Sequence, residues 1–81
     1  MNRLIEELTA KKRQMNLSYR KLGKAIGMSG VHVGQVLEGK HPLTRNFALQ
    51  VGLSDVLPSV GVREALEMAG LLPAGAVSHG E

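Results

Sequence analysis

The 81-residue sequence has no cysteine and no tryptophan, and only one phenylalanine and one tyrosine. The missing cysteines exclude disulfides, thiolate metal sites and a cysteine nucleophile together. They fit a reducing cell interior, so a cytoplasmic protein is expected. With so few aromatics, the core must be assembled from Leu, Val, Ile, Met and Ala. No apolar run approaches bilayer length, and the opening MNRLIEELTAKKR breaks its apolar stretch with acids, so neither a signal peptide nor a membrane partner is expected. No strand alternation, internal repeat or second domain is visible. The histidines stand at 32, 41 and 79 and the seven acids are scattered. No spacing suggests a metal site, a nucleophile beside a base, or a phosphate loop. The expectation is therefore a protein that is not an enzyme and carries no metal or cofactor.

What is present is a globular composition, 43% hydrophobic and 21% charged, in a chain long enough for one small domain with a modest core. Such a domain often gains further burial from a partner. The net charge of +3 is mild, but its distribution is not even. Between Thr9 and Leu53 eight basic residues (Lys11, Lys12, Arg13, Arg20, Lys21, Lys24, Lys40 and Arg45) face the single acid Glu38, a local net charge of +7. From Ser54 onward, Arg63 stands against Asp55, Glu64, Glu67 and Glu81, a net −3. A basic segment of this kind suits a polyanionic partner, although a solvated charged face has the same composition.

Apolar spacing predicts five helices. The first covers residues 3–14, with Leu4, Ile5, Leu8 and Met15 toward one face, cations in its last turn, and Asn16 as its stop. Ser18 caps a second helix from Tyr19 to Ile26, with Leu22, Ile26 and Ala25 inward and Gly27 in a left-handed cap. Met28 returns to the core. Ser29 caps a third helix from Gly30 to about Glu38, carrying Val33, Val36 and Leu37 inward, and Gly39 and Pro42 end it. Thr44 caps a fourth from Arg45 to about Val51, burying Phe47 and Val51. The stretch Gly52–Gly61 reads as irregular, with a single helical turn at Asp55–Leu57. A fifth helix from Val62 to Ala69 buries Val62, Leu66 and Ala69, and Gly70 caps it with Leu71 behind. Residues 1–73 make one domain; 74–81 lack periodicity and read as a flexible tail.

Tyr19–Glu38 holds two short helices around a tight turn. Such helices need a small residue where they approach, a residue tolerant of positive φ in the turn, and an apolar inner face on the second helix. Gly23, Gly27, Val33 and Val36 supply these. Residues 17–40, LSYRKLGKAIGMSGVHVGQVLEGK, resemble the helix-turn-helix of the lambda repressor and Cro-type family. The likeness runs without a gap through Leu22, Gly23, Ile26, Gly27, Met28, Ser29, Val33, Val36, Gly39 and Lys40. LEMAGLLP resembles the end of many small bacterial proteins of this type, so the likeness covers about residues 3–72.

The resemblance implies an all-α, compact five-helix domain whose third helix enters the major groove of double-stranded DNA, its N-terminal part meeting base edges. The outward positions are then Ser29, Gly30, Val31, Gly34 and Gln35, with His32 toward the flank. Gln35 suits adenine, whose N6 and N7 an amide can bond together, and Val31 suits a thymine methyl. A solvated Gln35, and a Val31 serving a core or dimer contact, are the plainer readings. Gly30 and Gly34 each cost about 1 kcal/mol of helix propensity, which suits a close backbone approach either to DNA or to the packed second helix. Phosphate contacts fall to Tyr19 and Arg20 at the N-terminus of the second helix, and to Lys40, His41, Thr44 and Arg45 around the start of the fourth. Lys11, Lys12 and Arg13 add long-range attraction or only cap their helix. Two departures stand out. Tyr19 replaces the family's usual Gln, and Leu37 replaces a Glu that many relatives pair with an Arg of the first helix. With few side-chain donors on the reading surface, base choice leans on Gln35, His32 and DNA shape.

One such unit covers few base pairs, so a homodimer on a palindromic operator is expected. Val62, Leu66, Leu71 and Leu72, within residues 58–73, are its candidate interface; the alternative is that they close the monomer core. The implied function is a transcriptional regulator, a repressor of phage, plasmid or mobile-element type that occludes a promoter. The same fold would also serve an antitoxin bound to a toxin, or a restriction-controller protein. A third possibility is a protein-interaction adaptor whose helix-turn-helix is only scaffold.

Overall fold

The computed structural model describes residues 2–71. The expected tail 74–81, and Leu72 of the candidate interface, lie outside them. The described residues form five helices and no strand: α1 (Arg3–Gln14), α2 (Tyr19–Ile26), α3 (Gly30–Leu37), α4 (Arg45–Leu53) and α5 (Val62–Met68). No helix among them is long and apolar enough to cross a membrane.

Local chemistry sets the helix starts. Ser18, Ser29 and Thr44 each accept a hydrogen bond from the backbone N–H three residues on, at 3.1, 3.1 and 3.2 Å. Each cap satisfies an orphan donor of the first turn. Asn2 caps α1 by accepting from Leu4 N at 2.8 Å, while its Nδ2 donates to the Ala69 carbonyl at 2.7 Å. One side chain thus ties the start of the first helix to the end of the last. The helix ends are equally defined. After α2, α3 and α5, Gly27, Gly39 and Gly70 take φ of 80°, 79° and 77°, and Asn16 does the same after α1 at 53°. At each of these ends the next residue's N–H bonds back five positions, as in Leu17 to Lys12 O and Met28 to Gly23 O. This paired closure satisfies carbonyls that would otherwise lack partners.

Removing one cap tests its weight. Ser29→Ala is expected to lower stability by about 1 kcal/mol, read as a shift in the urea midpoint at constant slope. An unchanged midpoint would mean that water replaces the hydroxyl without loss.

Buried side chains among the described residues are all apolar. Leu4 and Leu8 of α1, Leu22 and Ile26 of α2, Val33 and Val36 of α3, and Phe47 and Val51 of α4 are the largest fully enclosed ones. Each such burial contributes about 1.5–3 kcal/mol. α2 packs on α3 and α4 on α5, with α1 bridging α3 and α5. Glycines permit the closest approaches. A Cβ on Gly23 would lie 2.5 Å from the Met28 carbonyl oxygen, and one on Gly52 would lie 2.5 Å from Val62 Cα.

Several expectations need correction. Met15 is 56% exposed and Ala25 is also exposed: once the chain reverses at Asn16, Leu17 rather than Met15 turns toward the core. Gly52 belongs to α4, where its missing side chain admits the start of α5. Asp55–Leu57 is a series of bends, not a helical turn; Val56 and Leu57 are nonetheless buried. Ala48 and Ala65 join the core, whereas Val62 and Leu37 are only half-buried.

Candidate nucleic-acid interface

The geometry of α3 follows from its inward residues. Val33, Gly34 and Val36 are buried. Val31 and Gln35, one turn apart, are therefore left on the opposite face. Both are exposed, Val31 by 73%. Of the other expected base readers, Ser29 is exposed but its oxygen is engaged in the cap of its own helix. Gly30 is half-buried, and a Cβ there would lie 2.7 Å from Arg20 Cα. Gly34, expected outward, is buried with its face against the Tyr19 ring, 3.0 Å from where a Cβ would stand. Packing on α2 therefore accounts for both glycines without an approach of DNA.

His32 is half-buried at the flank. Its ring meets His41 edge-on at 4.9 Å between centroids and Phe47 at 5.9 Å. This aromatic corner, where α3 meets the start of α4, was not foreseen: two histidines nine positions apart give no periodic signal. His41 Nδ1 lies 3.0 Å from the Pro42 carbonyl. Among the described residues no group of three or more potential metal ligands is assembled.

The expected phosphate contacts divide in two. Arg20 and Arg45 are exposed and have no carboxylate within ion-pair distance among the described residues. Thr44 Oγ1 caps α4, whose N-terminus opens beside Arg45. Tyr19 and Lys40, by contrast, are held within the protein. Tyr19 Oη donates to Glu38 Oε2 at 3.2 Å, and Lys40 Nζ lies 3.2 Å from Glu38 Oε1. The Tyr19 ring lies over Gly34, with Lys12 Nζ 4.6 Å from its centroid. Lys12 thus makes a cation–π contact rather than only capping α1. Leu37 packs partly buried against the core, and with Thr9, Lys12, Arg13 and Tyr19 it lines a small recess beside α1.

This polar cluster shifts its members' acidity. The hydrogen bond from Lys40, then that from Tyr19, holds the Glu38 carboxyl below the usual glutamate range. Partial burial, then the bond to Glu38, raises the Tyr19 phenol. A depressed carboxylate contributes stability that is present above its unfolded value and lost as pH falls through its folded value. The Glu38 contacts are therefore favoured at neutral pH and weaken in acid, at a pH below the ordinary glutamate range. As Tyr19 is the only tyrosine and tryptophan is absent, tyrosine emission is expected to report that weakening. A step below the ordinary glutamate range, absent in Glu38→Gln, is the predicted result; a flat profile would mean that the contact is not populated in solution.

The candidate dimer residues fare unequally. Leu66 is 8% exposed and belongs to the monomer core, whereas Leu71 is 41% exposed and Val62 half-buried. Leu53 was not foreseen; it is 70% exposed and follows Gly52, which abuts Val62.

Comparisons with protein-family models, curated proteins and solved structures find no match to this chain.

Proposed function

We propose that this chain is a sequence-selective, double-stranded DNA-binding regulator that acts as a dimer and represses by occluding a promoter. The observation that carries this reading is the outward face of α3. An apolar Val31, 73% exposed, stands one turn before an exposed Gln35. A bare valine on a solvated face wastes apolar area, whereas a thymine methyl would cover it, and the amide one turn on can bond adenine through two atoms. Arg20 in α2, Lys40 just after α3 and Arg45 at the start of α4 are exposed cations within a segment of net charge +7. The α2–turn–α3 unit, with Gly27 at positive φ in its turn, fits the likeness of residues 17–40 to lambda repressor and Cro-type proteins, and supports the same reading. We propose a binding protein rather than an enzyme.

Two units reading half-sites roughly 34 Å apart would give the usual two-fold complex. Leu53 and Val62, at the junction of α4 with α5, together with Leu71, are the apolar groups we propose for the subunit contact. Selection from a random duplex library, followed by footprinting, tests the function. The expected product is a palindrome with an A·T pair at an equivalent position of each half-site. Enrichment of no sequence would overturn the proposal.

A further inference from the structure

Glu38 is the only acid between Thr9 and Leu53, and it lies at the C-terminal end of the helix proposed to read DNA. It does not point into empty solvent. Its two carboxylate oxygens hold different donors, Oε2 the Tyr19 hydroxyl and Oε1 the Lys40 ammonium, both at 3.2 Å. These are two groups that a phosphate oxygen on this edge of the surface would otherwise engage. A carboxylate and a phosphodiester oxygen present the same chemistry to a hydroxyl and an ammonium: an anionic acceptor at hydrogen-bond distance.

We propose that Glu38 acts as an internal phosphate mimic, a built-in competitor that occupies the Tyr19–Lys40 anion site in the free protein and must surrender it when a DNA phosphate arrives. The inference rests on the DNA-binding reading above. The side chains of Lys40 and Glu38 are 72% and 44% exposed, so the contact can open without unpacking the core. The Tyr19 ring, seated against Gly34 and beneath Lys12, keeps its hydroxyl at the site whichever anion it serves. The consequence is a weaker hold on any duplex. Binding must break an existing ion pair and bring the displaced carboxylate close to a like charge. Glu38 would thereby limit adhesion to random DNA by an otherwise basic surface.

The test compares wild type, Glu38→Gln, Lys40→Ala and the double variant, by fluorescence anisotropy on a selected duplex and a random one at two salt concentrations. Glutamine keeps the size of the side chain and can still accept from Tyr19, so the fold is retained. An exposed ion pair and a like-charge contact in water are each worth on the order of a few-fold in binding. Glu38→Gln is thus expected to tighten both duplexes about five-fold, and to steepen the dependence of log affinity on log salt by about one per site as Lys40 becomes free to displace counterions. Most of that gain should vanish in the Lys40→Ala background, since the two substitutions act on one contact. On titrating wild type with DNA, tyrosine emission should move toward that of Glu38→Gln.

If wild type binds but Glu38→Gln binds equally or more weakly, Glu38 serves only to brace Tyr19 and the mimic is refuted. A gain of equal size with and without Lys40 would also refute it, because the carboxylate would then act as a distant charge. If wild type binds no duplex, the DNA reading itself fails, and this inference falls with it.

Discussion

Gly23→Ala is expected to destabilise the protein by about 2 kcal/mol or more, even though alanine is the better helix former by roughly 1 kcal/mol. The two effects have opposite signs, which makes the experiment decisive. Propensity acts on α2 alone and would raise stability. Packing acts at the α2–α3 crossing, where the added methyl would meet the Met28 carbonyl oxygen at 2.5 Å and the Gly30 nitrogen at 3.0 Å. Those neighbours are backbone atoms of the turn and cannot rotate away, so the helices must separate and strain the burial of Leu22, Ile26, Val33 and Val36. Gly39→Ala provides the contrast. Nothing lies within 4 Å of its added methyl, but its φ is 79°, so the loss there is conformational, about 1–2 kcal/mol. Urea denaturation of the three proteins measures both. A midpoint for Gly23→Ala at or above that of wild type would mean that the two helices are not so closely packed in solution.

The second large effect concerns recognition. Gln35→Ala should cost about 1–3 kcal/mol on the selected duplex, little on random DNA, and relax base choice at one position per half-site. Lys40→Ala should behave differently, weakening both duplexes alike, and in the Glu38→Gln background it should flatten the salt slope by roughly one per site. The difference follows from what each side chain can touch. A neutral amide gains only where a base edge matches it, whereas an ammonium gains at every phosphate. Competition binding of each variant against both duplexes separates the two. Equal losses on both duplexes for Gln35→Ala would move base reading away from the exposed face of α3.

Much of the fold was legible in the residues because its signals are local. Ser18, Ser29 and Thr44 announce helix starts, and Gly27, Gly39 and Gly70 announce ends, by chemistry that acts within five residues. Leu4, Leu8, Leu22, Ile26, Val33, Val36, Phe47 and Val51 follow from spacing alone. What was not legible depends on contacts distant in sequence. Nothing near Gly52 reveals that α5 begins against it. Asn2 reaches Ala69 across the whole domain. Met15 and Ala25 carry apolar side chains at plausible spacing, yet their faces are turned outward once the turns at Asn16 and Gly27 are set.

The proposed interface divides in the same way. Val31 and Gln35 were expected outward from the likeness of residues 17–40 to a helix-turn-helix, and both are exposed. The assignments of Gly30 and Gly34 depended on where α2 lies, and Gly34 proved to be the seat of the Tyr19 ring. The bridging role of Glu38 was hidden because its partners stand at Tyr19 and Lys40, one of them nineteen positions away. As the single acid in a basic segment it was nonetheless the residue whose presence most needed a reason.

The most direct test of the central claim is an anisotropy titration of the purified protein against the DNA upstream of its own gene, with random duplex as the control, at two salt concentrations. The proposed function predicts saturable binding to the upstream DNA, at least a thousand-fold tighter than to random duplex, and falling steeply as salt rises. Equal, weak binding to both, or none to either, would contradict it and direct attention to a protein partner for the same surface.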